Sequence, residues 1–390
     1  MNGRPRRILL VINLLFWAGA ETQLRHLAIG LRKLGHEVTL LAVEDITSHV
    51  EDLEQAGVDL VALGAEDRIG TLRALPKLIR AARQAEVVHC TGWDASLWGR
   101  LAAIAARRPV VVTEHTAGRQ FQVSKSGASR ERAIAMHNRL LDRFTYATVV
   151  VAEAQIWLLR SEGVRADSMV RIPNAVPLAE LRRQADRGVT RADLGVPDEA
   201  KLIVHAARFT PPKGQPVTLR VVDRLREQLG DVRVLFAGSG PEEDAVRRQA
   251  AEMGADWASF LGSRDDVPAL LHAADLAVLP STAEGLPMSL IEAMALGTPV
   301  VSTDVGDVRW LIEVAGGGLC VARQDEQQFT EACSRALGDA RLHGQLSAAG
   351  LAGVEDFDAP RMAERYADVL SAAVDDAPLP RFFDESGAVV

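Results

Sequence analysis

Short, unbroken apolar runs recur along the chain, and between them apolar residues return every three or four positions. Ile8–Asn13 is a run of the first kind, ending on a polar residue, and reads as a strand buried on both faces. Leu24, Leu27, Ala28, Leu31 and Leu34 follow with helical spacing, and Gly35 and His36 close that helix. Strand-type runs then recur at Glu37–Val43, Val58–Leu63, Val87–Cys90, Val110–Thr113, Ala147–Val151 and Met169–Ile172, with helices expected over Thr71–Gln84, Ala95–Ala106 and Ser129–Phe144. Alternation of this kind builds a parallel sheet covered by helices on both faces. The pattern breaks at Pro173–Pro177, and the polar stretch 179–198 reads as a linker. A second series begins at Leu202–Ala207 and runs through Val232–Ala237, Ala258–Leu261, Leu276–Leu279 and Val300–Thr303. Helices are expected over Gln215–Leu229, Glu242–Met253, Glu326–Leu337 and Ala359–Val374.

The expected organisation is a first doubly wound α/β domain over 1–178, the linker, a second over 199–358, a helix over 359–374 returning to the first, and a poorly ordered tail over 375–390. Two such domains predict a cleft, with ligands held in the loops at the carboxyl ends of strands.

Composition changes this picture little. The chain has 390 residues, 48% hydrophobic and 25% charged, as soluble globular proteins do. No apolar run reaches the ~20 residues a membrane span needs. The basic start (Arg4, Arg6, Arg7), the following apolar run and Ala18-Gly19-Ala20 outline a secretory signal, but Asn13 interrupts the run and a strong helix follows directly. A strand, a glycine turn and a helix account for the same residues. Cys90, Cys320 and Cys333 are scattered, form no metal-ligand spacing and suit a reducing cytoplasm. Net charge is −8 but uneven: residues 1–175 hold 23 basic and 18 acidic residues, so the first half is mildly basic. That asymmetry suits weak contact with an anionic membrane surface, giving an expected cytoplasmic location, peripheral at the inner membrane face. Nothing in the chain points to nucleic acid, and the oligomeric state stays open.

The chemistry gathers in the loops after strands. Between Leu279 and Val300 lies a loop, a short helix and a turn, with Pro287 expected in the first helical turn and Gly297 just past the helix end. Glu284 lies in the loop and Glu292 about one and a half turns into the helix. The pair offers acceptors for hydroxyls, and the helix start offers N–H donors for phosphate. After the first strand of the second series, Arg208 and Lys213 stand five apart, with Gly214 opening a helix; such cations can clamp a diphosphate. Gly19 lies between a strand and a helix, where backbone can approach a ligand. His89 and His115 lie at strand ends.

Taken together, Pro280-Ser281, Glu284-Gly285-Leu286-Pro287, Glu292-Ala293-Met294-Ala295 and Gly297-Thr298-Pro299-Val300-Val301 resemble the E-x7-E element of the retaining glycosyltransferases of family 4. Ala207-Arg208, Lys213-Gly214, Gly238-Ser239-Gly240-Pro241 and Phe260-Leu261-Gly262 fit the same family's second domain. The resemblance implies the GT-B fold, two Rossmann-like domains facing each other across a cleft, and transfer of a sugar from a nucleoside-diphosphate sugar to an acceptor hydroxyl. It implies that Glu284 contacts the sugar near its anomeric carbon and that Glu292 accepts the ribose hydroxyls. Arg208 and Lys213 would stabilise the departing diphosphate, joined by the backbone of Leu286 and Met288. Gly19, Gly238, Gly262 and Gly285 would meet the donor closely, and His115, in a T-x-H position, would contact the donor sugar. No cofactor and no metal are implied; the nucleotide sugar, UDP favoured over GDP, is a co-substrate. The acceptor is a small metabolite or natural-product aglycone, or a cell-envelope glycan or lipid. The sequence departs from the family at Gly306-Asp307-Val308-Arg309-Trp310, where Trp310 replaces a usual glutamate, and at Asn174-Ala175, read as hinge structure. A nucleotide-sugar 2-epimerase of the same fold, or a non-catalytic nucleotide-sugar-binding protein, is the alternative.

Overall fold

In the computed structural model the described residues are 4–15, 19–47, 50–115, 132, 134–186 and 191–383. They form two compact units, one of 1–175 with 359–390 and one of 176–358. The first unit is a seven-stranded parallel sheet in the order β3-β2-β1-β4-β5-β6-β7, built from β1 (Arg7–Ile12), β2 (Glu37–Ala42), β3 (Asp59–Ala62), β4 (Val87–Thr91), β5 (Val110–Glu114), β6 (Ala147–Val150) and β7 (Met169–Arg171). The unbroken apolar runs have their physical reason here: β4, β5 and β6 are buried at every residue, with helices on both faces.

One face carries α1 (Gly19–Lys33) and the last helix, α15 (Ala359–Asp375). The two pack so closely that a Cβ on Gly30 would sit 2.3 Å from the Cβ of Ala363. The other face is covered by α3 (Arg68–Gln84) and α4 (Trp93–Ala106), whose Ala74, Leu78, Ala82, Ala95, Ala102 and Ala103 share a core with Leu9, Val11 and Val88. Residues 134–141 (α5) are helical; the rest of the expected Ser129 helix start lies outside the described residues.

The second unit is a six-stranded parallel sheet in the order β10-β9-β8-β11-β12-β13, from β8 (Lys201–Ala206), β9 (Val232–Ala237), β10 (Ala258–Gly262), β11 (Leu276–Leu279), β12 (Val300–Thr303) and β13 (Gly318–Val321). In both sheets the chain starts at the centre, builds outward to one edge, then returns and continues to the other. The turning points lie between β1 and β4 and between β8 and β11.

Four expectations need correction. The stretch 179–198 is not a linker: Leu178–Asp186 is a helix, α7, whose Leu178, Leu181 and Ala185 are buried in the core of the second unit. Three apolar residues at helical spacing within a charged segment suffice for that. Residues 376–383 are not loose: Leu379 and Phe382 pack on the first unit's core, and the Tyr146 hydroxyl donates to the Ala377 carbonyl at 2.7 Å. Helices at Glu153–Ser161 (α6) and Ala340–Gly353 (α14) went unread. Finally, Pro287 precedes the first turn of α11 (Met288–Ala295) with extended backbone, one residue earlier than expected, while Gly297 holds the expected positive φ of 80° past its end.

Candidate active site

In the second unit the site grows from five strand-end loops that interlock through backbone. After β8, the buried ring of Phe209 packs on Phe236 and Phe260 and anchors the loop carrying Arg208. The Phe209 N–H donates to the Ser239 carbonyl at 3.1 Å, and a Cβ on Gly238 would come within 2.2 Å of the Ala207 carbonyl. Gly238 is therefore required by the packing of the β9 loop against the β8 loop, and its N–H donates to Gly262 at 2.7 Å. The β8 and β11 loops are tied by Thr282 N–H to Pro212 O at 2.8 Å, and Gly214 lies so near Pro280 that a Cβ there would meet its carbonyl at 2.3 Å. From β12, Gly306 (φ +56°) lies against the carbonyls of Glu284 and Gly285, and Asp307 N–H donates to Gly285 O at 2.9 Å.

This framework brings Lys213 and Glu284 together across the central turning point of the sheet. Lys213 Nζ donates to both carboxylate oxygens of Glu284, at 2.7 and 2.8 Å, and the buried Ser281 hydroxyl donates to Oε1 at 2.7 Å. The Glu284 side chain is only 8% exposed. Sequence reasoning put Lys213 on a diphosphate and Glu284 on a sugar; the structure shows them as one hydrogen-bonded unit. Ser281 was quoted within the motif, but its role in fixing Glu284 was missed. Arg208 lies apart from this pair. It is exposed, its guanidinium has no partner among the described residues, and its carbonyl accepts from the buried Gln215 amide at 2.9 Å.

Glu292, the fifth residue of α11, is half-buried, and its carboxylate has no hydrogen-bond partner among the described residues. Burial without compensation raises its pKa to about 7. Leu286 is buried, Met288 opens the helix, and Gly262 holds φ +68° with open space where a side chain would stand. Trp310, on α12 (Val308–Ala315), meets Phe357 edge-on at 5.5 Å and takes part in the unit's core.

In the first unit Gly19 is the exposed first residue of α1; Ala18 lies outside the described residues. His115 follows β5, hydrogen-bonds the side chain of Asn174, and is held neutral, its pKa lowered to about 4 by burial. Asn174, read as hinge structure, is thus also a partner of a site residue. Gln23 fixes the next residue, donating to the Ala175 carbonyl at 2.7 Å and accepting its N–H at 2.9 Å. His89 is framework: its Nε2 meets Thr113 Oγ1 at 2.7 Å, and Thr113 meets the Tyr366 hydroxyl of α15 at 3.0 Å. His89 and His115 line one small pocket with Gln23, Asn174 and Tyr366. Among the described residues no cluster of three or more His, Cys, Asp or Glu side chains is placed to hold a metal ion.

Chain comparison decides the family. Residues 18–175 match the family described as the glycosyl transferase 4-like domain, and residues 200–339 match glycosyl transferases group 1. The chain belongs to glycosyltransferase family 4. This glycosyltransferase is 27% identical over 350 residues to a phosphatidyl-myo-inositol mannosyltransferase of Mycolicibacterium smegmatis, a match covering 87% of this chain and 86% of that one. It is 26% identical to a D-inositol 3-phosphate glycosyltransferase of a Nocardioides species, over 74% of this chain and 67% of the relative. Among solved structures, Anabaena HepE in complex with UDP superposes with a TM-score of 0.81 at 22% identity, covering 94% of this chain and all of that one. The lipopolysaccharide-pathway glycosyltransferase WaaG follows at 0.72 and 16%, over 93% of this chain and 99% of that one. The shared architecture is the GT-B fold, as the sequence led us to expect.

Proposed function

We propose that this glycosyltransferase moves a sugar from a nucleoside-diphosphate sugar, UDP favoured, to an acceptor hydroxyl with retention of anomeric configuration and without a metal ion. The observation that carries this reading is the Lys213–Glu284–Ser281 unit at the central turning point, with Arg208 and, on the helix that follows, Glu292 having no partner among the described residues. In this reading Arg208 and Lys213 neutralise the departing diphosphate, a role fixed cations perform well because they need no reorganisation as charge develops. Glu292 accepts the ribose hydroxyls and Glu284 orients the sugar. The backbone at Gly19, Gly238, Gly262, Gly285, Leu286 and Met288 approaches the donor. Neutral His115, oriented by Asn174, hydrogen-bonds a sugar hydroxyl. The diphosphate leaves towards the cations while the acceptor attacks the same face, and the leaving phosphate takes the acceptor proton. Neighbours of the same fold were solved with UDP and UDP-glucose, which supports the donor class.

The acceptor is a small hydroxylated metabolite or a cell-envelope lipid or glycan, reached in the cytoplasm or at the inner membrane face; the inositol-containing acceptors in the relatives' names lie within that range. Trp310, standing where the family has a glutamate, packs edge-on against Phe357, and a non-catalytic nucleotide-sugar-binding protein stays the alternative that the turnover assay decides.

The test is donor turnover with UDP- and GDP-sugars, the anomeric configuration of the product read by NMR coupling. Replacing Arg208 and Lys213 together by Ala should lower turnover about a hundredfold or more. Turnover unchanged in that double variant would remove the diphosphate assignment. Donor consumption without any acceptor, giving an isomerised nucleotide sugar, would favour the epimerase.

A further inference from the structure

α3 presents a face unlike any other in the described molecule. Its inner side, Thr71, Ala74, Leu78 and Ala82, is buried. Its outer side reads Arg68, Ile69, Leu72, Arg73, Pro76, Lys77, Arg80, Arg83 and Gln84, all exposed. From Arg68 to Gln84 there are five cations and no carboxylate. None of the five takes part in an ion pair among the described residues, whereas several other exposed arginines are matched, as Arg247 is to Glu243, Arg183 to Glu180 and Arg224 to Glu326. The Arg108 guanidinium, donating to the Arg83 carbonyl at 3.0 Å, prolongs the strip at the helix end. The carboxylates flanking the helix lie outside it: Glu66 and Asp67 precede it, Asp67 accepting the Gly70 N–H, and Glu86, two residues past its end, accepts from the Arg4 guanidinium and the Arg7 N–H.

Beside the cations lie two of the most exposed aliphatic side chains in the structure, Ile69 at 60% and Leu72 at 59%. A water-facing helix gains nothing by exposing them. A helix lying in a bilayer interface does, because the aliphatic groups enter the acyl boundary while long basic side chains keep their charge among the headgroups. Other exposed apolar side chains share their helices with exposed carboxylates, Trp157 with Glu153 on α6 and Val314 with Glu313 on α12, so their charge does not single out an anionic partner.

We infer that α3 docks this chain onto an anionic lipid bilayer, with Ile69 and Leu72 inserted and Arg68, Arg73, Lys77, Arg80 and Arg83 against the headgroups. The place of the aliphatic pair adds to this. α3 follows β3, so its first turn lies at the carboxyl edge of the sheet, the edge that also carries Gly19 and His115. The inserted end is therefore the end nearest the first unit's candidate site. Resting on the glycosyltransferase reading, this narrows the acceptor class to an amphiphile that presents its hydroxyl at the bilayer surface.

The test is co-sedimentation of the full chain with vesicles of phosphatidylcholine alone and of phosphatidylcholine mixed with phosphatidylglycerol. Wild type should bind the anionic vesicles and not the neutral ones, more weakly as salt rises. Arg73→Glu/Lys77→Glu/Arg80→Glu should weaken binding about a hundredfold or more, since each juxtaposed cation multiplies affinity severalfold. Ile69→Ser/Leu72→Ser should weaken it while keeping the salt dependence. All variants should retain wild-type melting temperature and the thermal shift given by UDP, which separates a failure of docking from a failure of folding or of donor binding. Equal binding to both vesicle types, no binding by wild type, or charge-reversed chains that bind as before would overturn the inference. So would an α3-dependent dimer in solution, or preference for an anionic polysaccharide over the vesicles.

Discussion

Glu292 carries the clearest consequence at the scale of a single residue. Burial opposes its charge and raises its pKa to about 7, and no hydrogen-bond partner among the described residues compensates. Its folded pKa lies above its unfolded value of 4.5, so the folded state holds its proton longer and stability falls as pH rises from about 4.5 to about 7, staying low above that. Glu292→Gln should therefore melt higher than wild type at pH 8 and close to it at pH 4.5, as followed by differential scanning fluorimetry. Donor affinity should run the other way. If the ionised carboxylate accepts the ribose hydroxyls, UDP affinity in wild type falls by up to about tenfold per pH unit below 7, and in Glu292→Gln it is weak and flat with pH. A pH-independent wild-type affinity measured by calorimetry would remove the ribose role.

Single elements show how far the sequence could be read. The strands were legible because each is apolar on both faces, and the E-x7-E element because proline, glutamates and glycine punctuate it at fixed places. What escaped was whatever depends on partners distant in sequence. α7 hid within a charged stretch because only Leu178, Leu181 and Ala185 betray it, and their burial depends on α10 (Val267–Ala273) and α11. The pairing of Lys213 with Glu284 spans 71 residues, and that of Gln23 with Ala175 spans 152; neither is visible to periodicity. Gly30 was likewise silent, an inner glycine in a good helix, until α15 was seen against it. Gly30→Leu would drive a side chain into Ala363 and cost about 1–3 kcal/mol through overpacking. Chemical denaturation should show that loss, and pairing it with Ala363→Gly should recover part of it.

Across the molecule, acid should act unequally on the two units. His26, His89 and His115 of the first unit are buried neutral, with pKa values lowered to about 4, 3 and 4, and His205 of the second is lowered to about 3. Each folded value lies below the unfolded 6.5, so the stability these groups confer is whole above 6.5 and is lost as pH falls from there towards 4. Among the described residues the first unit has four such groups, since burial lowers the pKa of His36 as well. The second has one, and Glu292 offsets it with the opposite sign. Calorimetry between pH 7 and 5 should show the transition of the first unit moving down further than that of the second.

The packing of α15 on α1 also sets an order of assembly during synthesis. Residues 1–175 leave the ribosome lacking Met362, Tyr366, Val369 and Leu370, which complete the core around Leu24, Leu27 and Leu31. The second unit, residues 176–358, is continuous and can close as it emerges, while the first, though translated earlier, must wait for the last helix. Chain ended at Asp358 should therefore yield a second unit that resists proteolysis beside a first unit that is digested, and a separate peptide of 359–390 added in trans should restore protection.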